Sequence, residues 1–264
     1  MDDERIAAYL RRLGLPRPRK ADAETLRELQ LRHLRTVPFE NLSVHLGEDV
    51  QLTEEAVVEK VTARARGGFC YELNGAFAAL LRALGFEVTL LNARVTQPDG
   101  AVGPPYDHLT LAVRGADGSG PWLADVGFGD NAHHPLLLDS RAGQRDPAGL
   151  YRLTETAEGD LDLTRDGIPQ FRIETRPRAF SDFEATCWFH RTSPLSPFTR
   201  SLVCSRFTEH GRITLSGRRL TVTAAGGRET TELPDEAAVL DAYRTHFGIS
   251  LEREPTARDF GPRP

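Results

Sequence analysis

Cysteine is scarce in this chain of 264 residues: Cys70, Cys187 and Cys204 are its only thiols. Three so scattered cannot form a disulfide framework, and an odd number leaves one over, so a reducing compartment fits best. There is no CxxC or HExxH pattern to begin a metal site and no GxxxxGK[ST] to cradle a nucleoside triphosphate. No metal is therefore expected. No run approaches the roughly 18 apolar residues that a membrane span requires. The start, MDDERIAAYLRRLG, is acidic and unlike a targeting segment. A soluble, cytoplasmic protein is the expectation. Positive charge is not in surplus either, since 33 Lys and Arg stand against 38 Asp and Glu for a net charge of -5. Nucleic acids and anionic membranes are held mainly by clustered positive charge, so neither is expected as a partner. Only Lys20 and Lys60 are lysines, a bias with no functional reading. Repeats, low-complexity tracts and long linkers are also missing. Small molecules or proteins remain as partners, with a homodimer left open, and the length suits one large domain or a few subdomains sharing a core.

The first third is helical in pattern. DDERIAAYLRRLG and DAETLRELQLRHLRTVP open on Asp caps and stop at Gly14 and Pro38. TEEAVVEKVTARARGG has Thr53 as cap and Gly67 and Gly68 as terminators. After Cys70, Leu73, Phe77, Leu80, Leu81 and Leu84 form one apolar stripe ending at Gly85. Four helices are thus predicted up to Gly85. The pattern then changes to short alternating segments, FEVTLLNARV, DHLTLAVRG, PWLADVGFG, YRLTE, LDLTR and PQFRIET, which predict an antiparallel sheet or barrel. The aromatic FSDFEATCWFHRTSPLSPFTRSLVC follows, then strand-like GRITLSG and RRLTVTAA, and a last helix capped by Asp235. The expected class is α+β: a helical bundle over 1–85, a β-barrel over 86–185 and an α/β lid over 186–264.

Cys70 stands between a glycine pair and a helix start, where free amides and the helix dipole favour a thiolate. The glycines would let the backbone turn sharply and a substrate approach closely. A small buried residue would occupy the same place equally well. A thiolate nucleophile works with a histidine that takes its proton and an acid that holds the imidazole. DHLTLAV and WLADVGFG read as paired strands, and any register that sets even against odd positions brings His108 and Asp125 to one face. A His and an Asp within apolar strands form a local conflict of the kind functional sites produce. His133 and His134 read as surface-loop histidines, His33 as a partly buried structural residue, and His190 as undecided. The glycine-bracketed VGFGD turn after Asp125 can present amides to a phosphate or carbonyl, although a plain tight turn looks the same.

PFENLSVHLG, RARGGFCYELNGAF, DHLTLAV, LADVGFGDNAHHPLLL and CWFHRTSPLSPFTRSLVC, in this order, closely resemble the arylamine N-acetyltransferases. The resemblance covers most of the chain and is weakest beyond Ala224. It implies the three-part fold above with a Cys-His-Asp core akin to that of thiol proteases: Cys70 as nucleophile, His108 as base and Asp125 as orienting acid. It implies ping-pong acetyl transfer from acetyl-CoA, through an acetyl-cysteine, to an arylamine, arylhydrazine or arylhydroxylamine. Gly127, Phe128 and Gly129 match the loop near the CoA pyrophosphate, while Phe39, Val95 and Phe128 match walls of the acceptor cleft. Arg64 and Glu40 match a bracing salt bridge, and Glu72 and Asn74 match residues that tie the nucleophile's helix to its neighbours. Asp130 stands where the family often has a small residue, a negative charge that weighs on CoA affinity. An amide synthase releasing a polyketide chain would share the triad. A thiol hydrolase would share its logic, and an inactive binding protein would share the fold.

Overall fold

The computed structural model describes residues 1–257. Each expected cap accepts a backbone amide. Asp2 opens α1 (Asp3–Leu13), Asp22 opens α2 (Ala23–Thr36) and Thr53 opens α4 (Glu54–Thr62). Each thereby satisfies an orphan donor of the first turn. α5 (Cys70–Ala83) carries the apolar stripe. A further short helix, α3 (Leu42–Leu46), raises the count before Gly85 from the expected four to five. Five residues are too few to show a helical period in sequence. Before α3, Phe39–Glu40 form a short strand, β1.

Eight antiparallel strands follow: β2 (Glu87–Val95), β3 (His108–Arg114), β4 (Trp122–Ala124), β5 (Leu136–Leu137), β6 (Gln144–Asp146), β7 (Gly149–Glu155), β8 (Leu161–Arg165) and β9 (Ile168–Arg178). Their order is β5-β4-β3-β2-β9-β8-β7-β6. The side-chain amide of Gln144 on β6 grips the Leu137 main chain on β5, donating to its carbonyl at 2.9 Å and accepting its amide at 2.7 Å. That contact joins the two edges, and the sheet is a nearly closed barrel. Leu91, Ala93, Leu123, Tyr151, Leu163, Phe171 and Ile173 fill one core cluster. Leu109, Leu111 and Val113 of β3 instead join Leu73, Phe77, Leu80 and Leu81 of α5, so barrel and helices share a core.

The aromatic stretch left without an assigned element is helical, with α6 (Glu184–Thr192) and α7 (Pro197–Arg200). A second sheet contains β10 (Cys204–Phe207), β11 (Gly211–Ser216), β12 (Arg219–Ala224) and β13 (Gly227–Glu232), covered by α8 (Glu236–Ala242) behind its Asp235 cap. Its order is β1-β10-β11-β12-β13. The first third thus supplies an edge strand of this second sheet, with Phe39 opposite Ser205 and Glu40 opposite Cys204. Phe39 also bridges Gly68, two residues before Cys70. Among the described residues, no helix is long and apolar enough to cross a membrane.

Candidate active site

The glycines before Cys70 serve close packing of the protein on itself. A Cβ at Gly67 would lie 1.8 Å from the Pro38 carbonyl oxygen, and one at Gly68 would lie 2.5 Å from Glu72 Oε2. The expectation that they clear space for substrate is corrected on that ground. Phe69, the residue before α5, has no side-chain oxygen to cap with. Glu72 instead reaches back and accepts the Phe69 amide at 3.2 Å, while its other oxygen accepts Lys60 Nζ at 2.5 Å. Cys70 is the first residue of α5, at the positive end of the helix dipole.

The β3–β4 register pairs Leu111 with Ala124 and Ala112 with Leu123, even against odd. His108 opens β3 and Asp125 lies just past β4, so that register brings the two together. His108 Nε2 donates to Asp125 Oδ2 at 2.6 Å, and both residues are buried. Burial alone would lower the His108 pKa. The Asp125 charge and hydrogen bond outweigh it, and the adjacent Cys70 sulfur adds a hydrogen bond and its own charge, so the imidazole is pushed up to about 10. Burial would raise Asp125, but the imidazolium, Asn74 and the Gly127 amide together hold it below the ordinary carboxylate value. The surroundings of His108 therefore favour its protonated form.

Asp125 also organises the turn that follows it. Its Oδ1 accepts the amides of Gly127 at 2.9 Å and Phe128 at 3.1 Å. Those two amides are engaged within the protein, which corrects the expectation that the loop presents them to a phosphate. The Asn74 side-chain amide donates to Leu109 O at 2.6 Å and Asp125 Oδ1 at 2.9 Å, and its carbonyl accepts the Val126 amide at 2.9 Å. Asn74 and Glu72 thus tie α5 to its surroundings.

Cys70 and His108 face a cleft of about 780 Å³ whose walls include Phe39, Val95, Phe128 and Phe198. Gly127 also lines it. Phe128 packs edge-on to the His108 ring at 5.2 Å. Gly129 has φ +88° and lies against the Phe39 ring. Three lining or supporting groups carried no clear sequence signal. His190, left undecided, is buried in the cleft wall with Nε2 3.1 Å from Asp107 Oδ1. Tyr71 donates its hydroxyl to the carbonyls of Tyr106 and Asp107 at 2.7 and 3.2 Å. Gln30 accepts the Asp125 amide at 3.3 Å, and its place within the leucine stripe of α2 was the available hint.

Other expectations need correction. Glu40 pairs with Arg66, at 2.9 Å, and Arg66 also reaches Glu48 at 3.1 Å; Arg64 lies 3.9 Å from Glu59 at the surface. His133 and His134 are half-buried: Asp146 accepts both their amides and, at 2.9 Å, the His134 Nδ1 donor. His33 is wholly buried against the Tyr9 hydroxyl at 2.9 Å, and burial lowers its pKa to about 3. Among the described residues, no group of three or more His, Cys, Asp or Glu side chains could hold a metal ion.

A family profile described as N-acetyltransferase matches residues 22–256. The arylamine N-acetyltransferase of Mycobacterium tuberculosis is 36% identical over 256 residues, covering 93% of this chain and 89% of that one. The chain belongs to the arylamine N-acetyltransferase family. Arylamine N-acetyltransferase 2 of Mus musculus is 32% identical over 280 residues, covering 94% of this chain and 95% of its own. Among solved structures, the M. smegmatis arylamine N-acetyltransferase superposes with a TM-score of 0.85 at 36% identity, covering 95% of this chain and 93% of that one. The Mycobacterium marinum enzyme in complex with CoA does so with a TM-score of 0.83 at 33% identity, covering 92% of each chain. The chain is accordingly an acetyltransferase of α+β fold.

Proposed function

We propose that Cys70 takes an acetyl group from acetyl-CoA and passes it to the nitrogen of an arylamine, arylhydrazine or arylhydroxylamine. The observation that carries this reading is the buried His108–Asp125 bond beside Cys70, at the wall of an aromatic cleft. The Cys70 thiolate attacks the thioester carbonyl. As the bond to CoA breaks, the His108 imidazolium supplies a proton to the departing sulfur. The acceptor nitrogen then attacks the acetyl-cysteine, neutral His108 takes its proton, and the Cys70 thiolate leaves. Asp125 keeps Nε2 engaged throughout, so the other ring nitrogen serves the reacting atoms. Aromatic amines are weakly basic and stay unprotonated near neutral pH, and Phe39, Val95 and Phe128 offer flat apolar walls to such rings.

Purified protein with acetyl-CoA and no acceptor should gain the mass of one acetyl group on Cys70. Addition of an aromatic hydrazine should discharge it with steady release of CoA. Cys70→Ala should fold and do neither. Turnover by that variant would overturn the assignment. A wild-type protein that takes no acetyl group from acetyl-CoA would point to the amide-synthase chemistry of a related triad.

A further inference from the structure

Asp130 follows the Gly127–Gly129 turn, and two guanidinium groups from different sheets share its carboxylate. Arg165 on β8 reaches Oδ2 with Nη2 at 3.3 Å and the Asp130 carbonyl with Nη1 at 3.4 Å. Arg212 on β11 brings Nη1 within 3.1 Å of Oδ1. One carboxylate between two guanidinium groups leaves an excess of positive charge. Arg212 is held in place by neutral groups as well. Its Nε donates to Ser205 Oγ at 2.7 Å, and its guanidinium lies over the Phe207 ring at 4.9 Å. Burial lowers the Arg212 pKa, with the like charge of Arg165 adding to the effect and Asp130 opposing it. Two guanidinium groups on one carboxylate can accept a second anion between them. The Asp130 side chain is 59% exposed, so the cluster is open to solvent.

The cluster lies close to the chemistry. A Cβ on Gly127 would come within 2.7 Å of Cys70 Cα. Three Cα steps separate Gly127 from Asp130, a span of at most about 11 Å. Acetyl-CoA places its thioester at one end of a pantetheine arm and its phosphates at the other. The Gly127 and Phe128 amides are held by Asp125, and the chain as a whole is acidic, so charge for those phosphates must come from local side chains.

We propose that Arg165 and Arg212 seat a phosphate of the CoA donor, and that Asp130 is the internal anion competing for that seat. This rests on the acetyl-CoA reading above. The test compares kcat/KM for acetyl-CoA with that for S-acetylpantetheine, which has the same thioester and no phosphate. Loss of one charge-assisted contact should cut the acetyl-CoA to acetylpantetheine ratio about tenfold in Arg165→Gln. Arg165 is the residue to change, because the Arg212 guanidinium is also bonded to Ser205 Oγ and its loss would disturb the second sheet. The ratio should rise severalfold in Asp130→Asn, where the competitor has lost its charge. Raising the salt concentration should lower it in the wild type. A ratio unmoved in both variants, or moved the same way in both, overturns the seat while leaving acetyl transfer intact. Failure of both thioesters to acylate wild-type Cys70 overturns the acetyl-CoA reading, and the seat falls with it.

Discussion

Asn74 and Asp125 are joined by a buried 2.9 Å hydrogen bond that links the helix of the thiol to the carboxylate behind the imidazole. The same side chain serves the Leu109 carbonyl and the Val126 amide. Asn74→Ala would leave the Leu109 carbonyl and the Val126 amide short of a buried partner, each at a cost of about 1–3 kcal/mol, while Asp125 Oδ1 keeps the Gly127 and Phe128 amides. Urea unfolding should show a loss of about 3 kcal/mol or more, and acetylation of Cys70 should slow with it. A variant as stable as the wild type would mean that other groups replace Asn74.

The His108–Asp125 pair predicts a pH dependence of stability with a definite sign. The folded His108 pKa of about 10 lies above the ordinary value of 6.5. Its contribution is complete below about pH 6.5 and is lost as pH rises through about pH 10. Asp125 is shifted down, so its contribution is present above the ordinary carboxylate value and is lost as pH falls through the lower folded one. Both limbs describe one interaction. Urea midpoints measured from about pH 6 to pH 10 should fall for the wild type, and His108→Gln should remove most of that slope. Parallel curves for the two proteins would contradict the assignment.

Arg66 and Arg64, two residues apart, should behave very differently. Arg66 is the buried partner of Glu40, whereas the Arg64 side chain is 54% exposed. Arg66→Ala strands Glu40 without its cation and should cost about 3–5 kcal/mol. Arg64→Ala should stay within about 0.5 kcal/mol of the wild type. Thermal unfolding of the pair of variants is sufficient to decide.

The contrast also shows what a sequence carries. Cys70, His108 and Asp125 are legible because each breaks a pattern: a thiol at a helix start after two glycines, and polar residues inside strands that share a face in any even-against-odd register. The choice between Arg64 and Arg66 is not legible. The chain leaves α4 at Thr62, and Ala65 takes a left-handed φ of +53°, a turn that decides which arginine points inward. RARGG contains no local sign of it. His190 and Asp107 are 83 residues apart and meet through the packing of α6 against the segment before β3, where Thr186 also bonds the Pro105 carbonyl. The neutralisation of Asp130 likewise needs β8 and β11 brought together. The Gly127–Gly129 turn is visible as glycine-rich, but nothing in the sequence shows that the Gly127 and Phe128 amides turn to Asp125, the acid that also holds His108.

That turn gives the sharpest test of how closely the site is packed. A methyl group at Gly127 would lie 2.7 Å from both Cys70 Cα and Asn74 Nδ2, and 2.9 Å from the Cys70 carbonyl oxygen. The backbone of residue 127 cannot simply withdraw, because its amide and the next are held by Asp125. Gly127→Ala must therefore push the first turn of α5 away from His108 or break the Asp125 contacts. Displacements of about 1 Å in a reacting group cost on the order of 10²-fold in rate, so acetylation of Cys70 should slow by about that factor. At Gly129 a Cβ would make only ordinary contact, 3.5 Å from the Phe39 ring, but φ is +88°. Gly129→Ala should therefore lose about 1–2 kcal/mol of stability through backbone strain, with a smaller effect on the rate of acylation. Equal rate losses in the two variants would show that crowding at Cys70 is not what governs the chemistry.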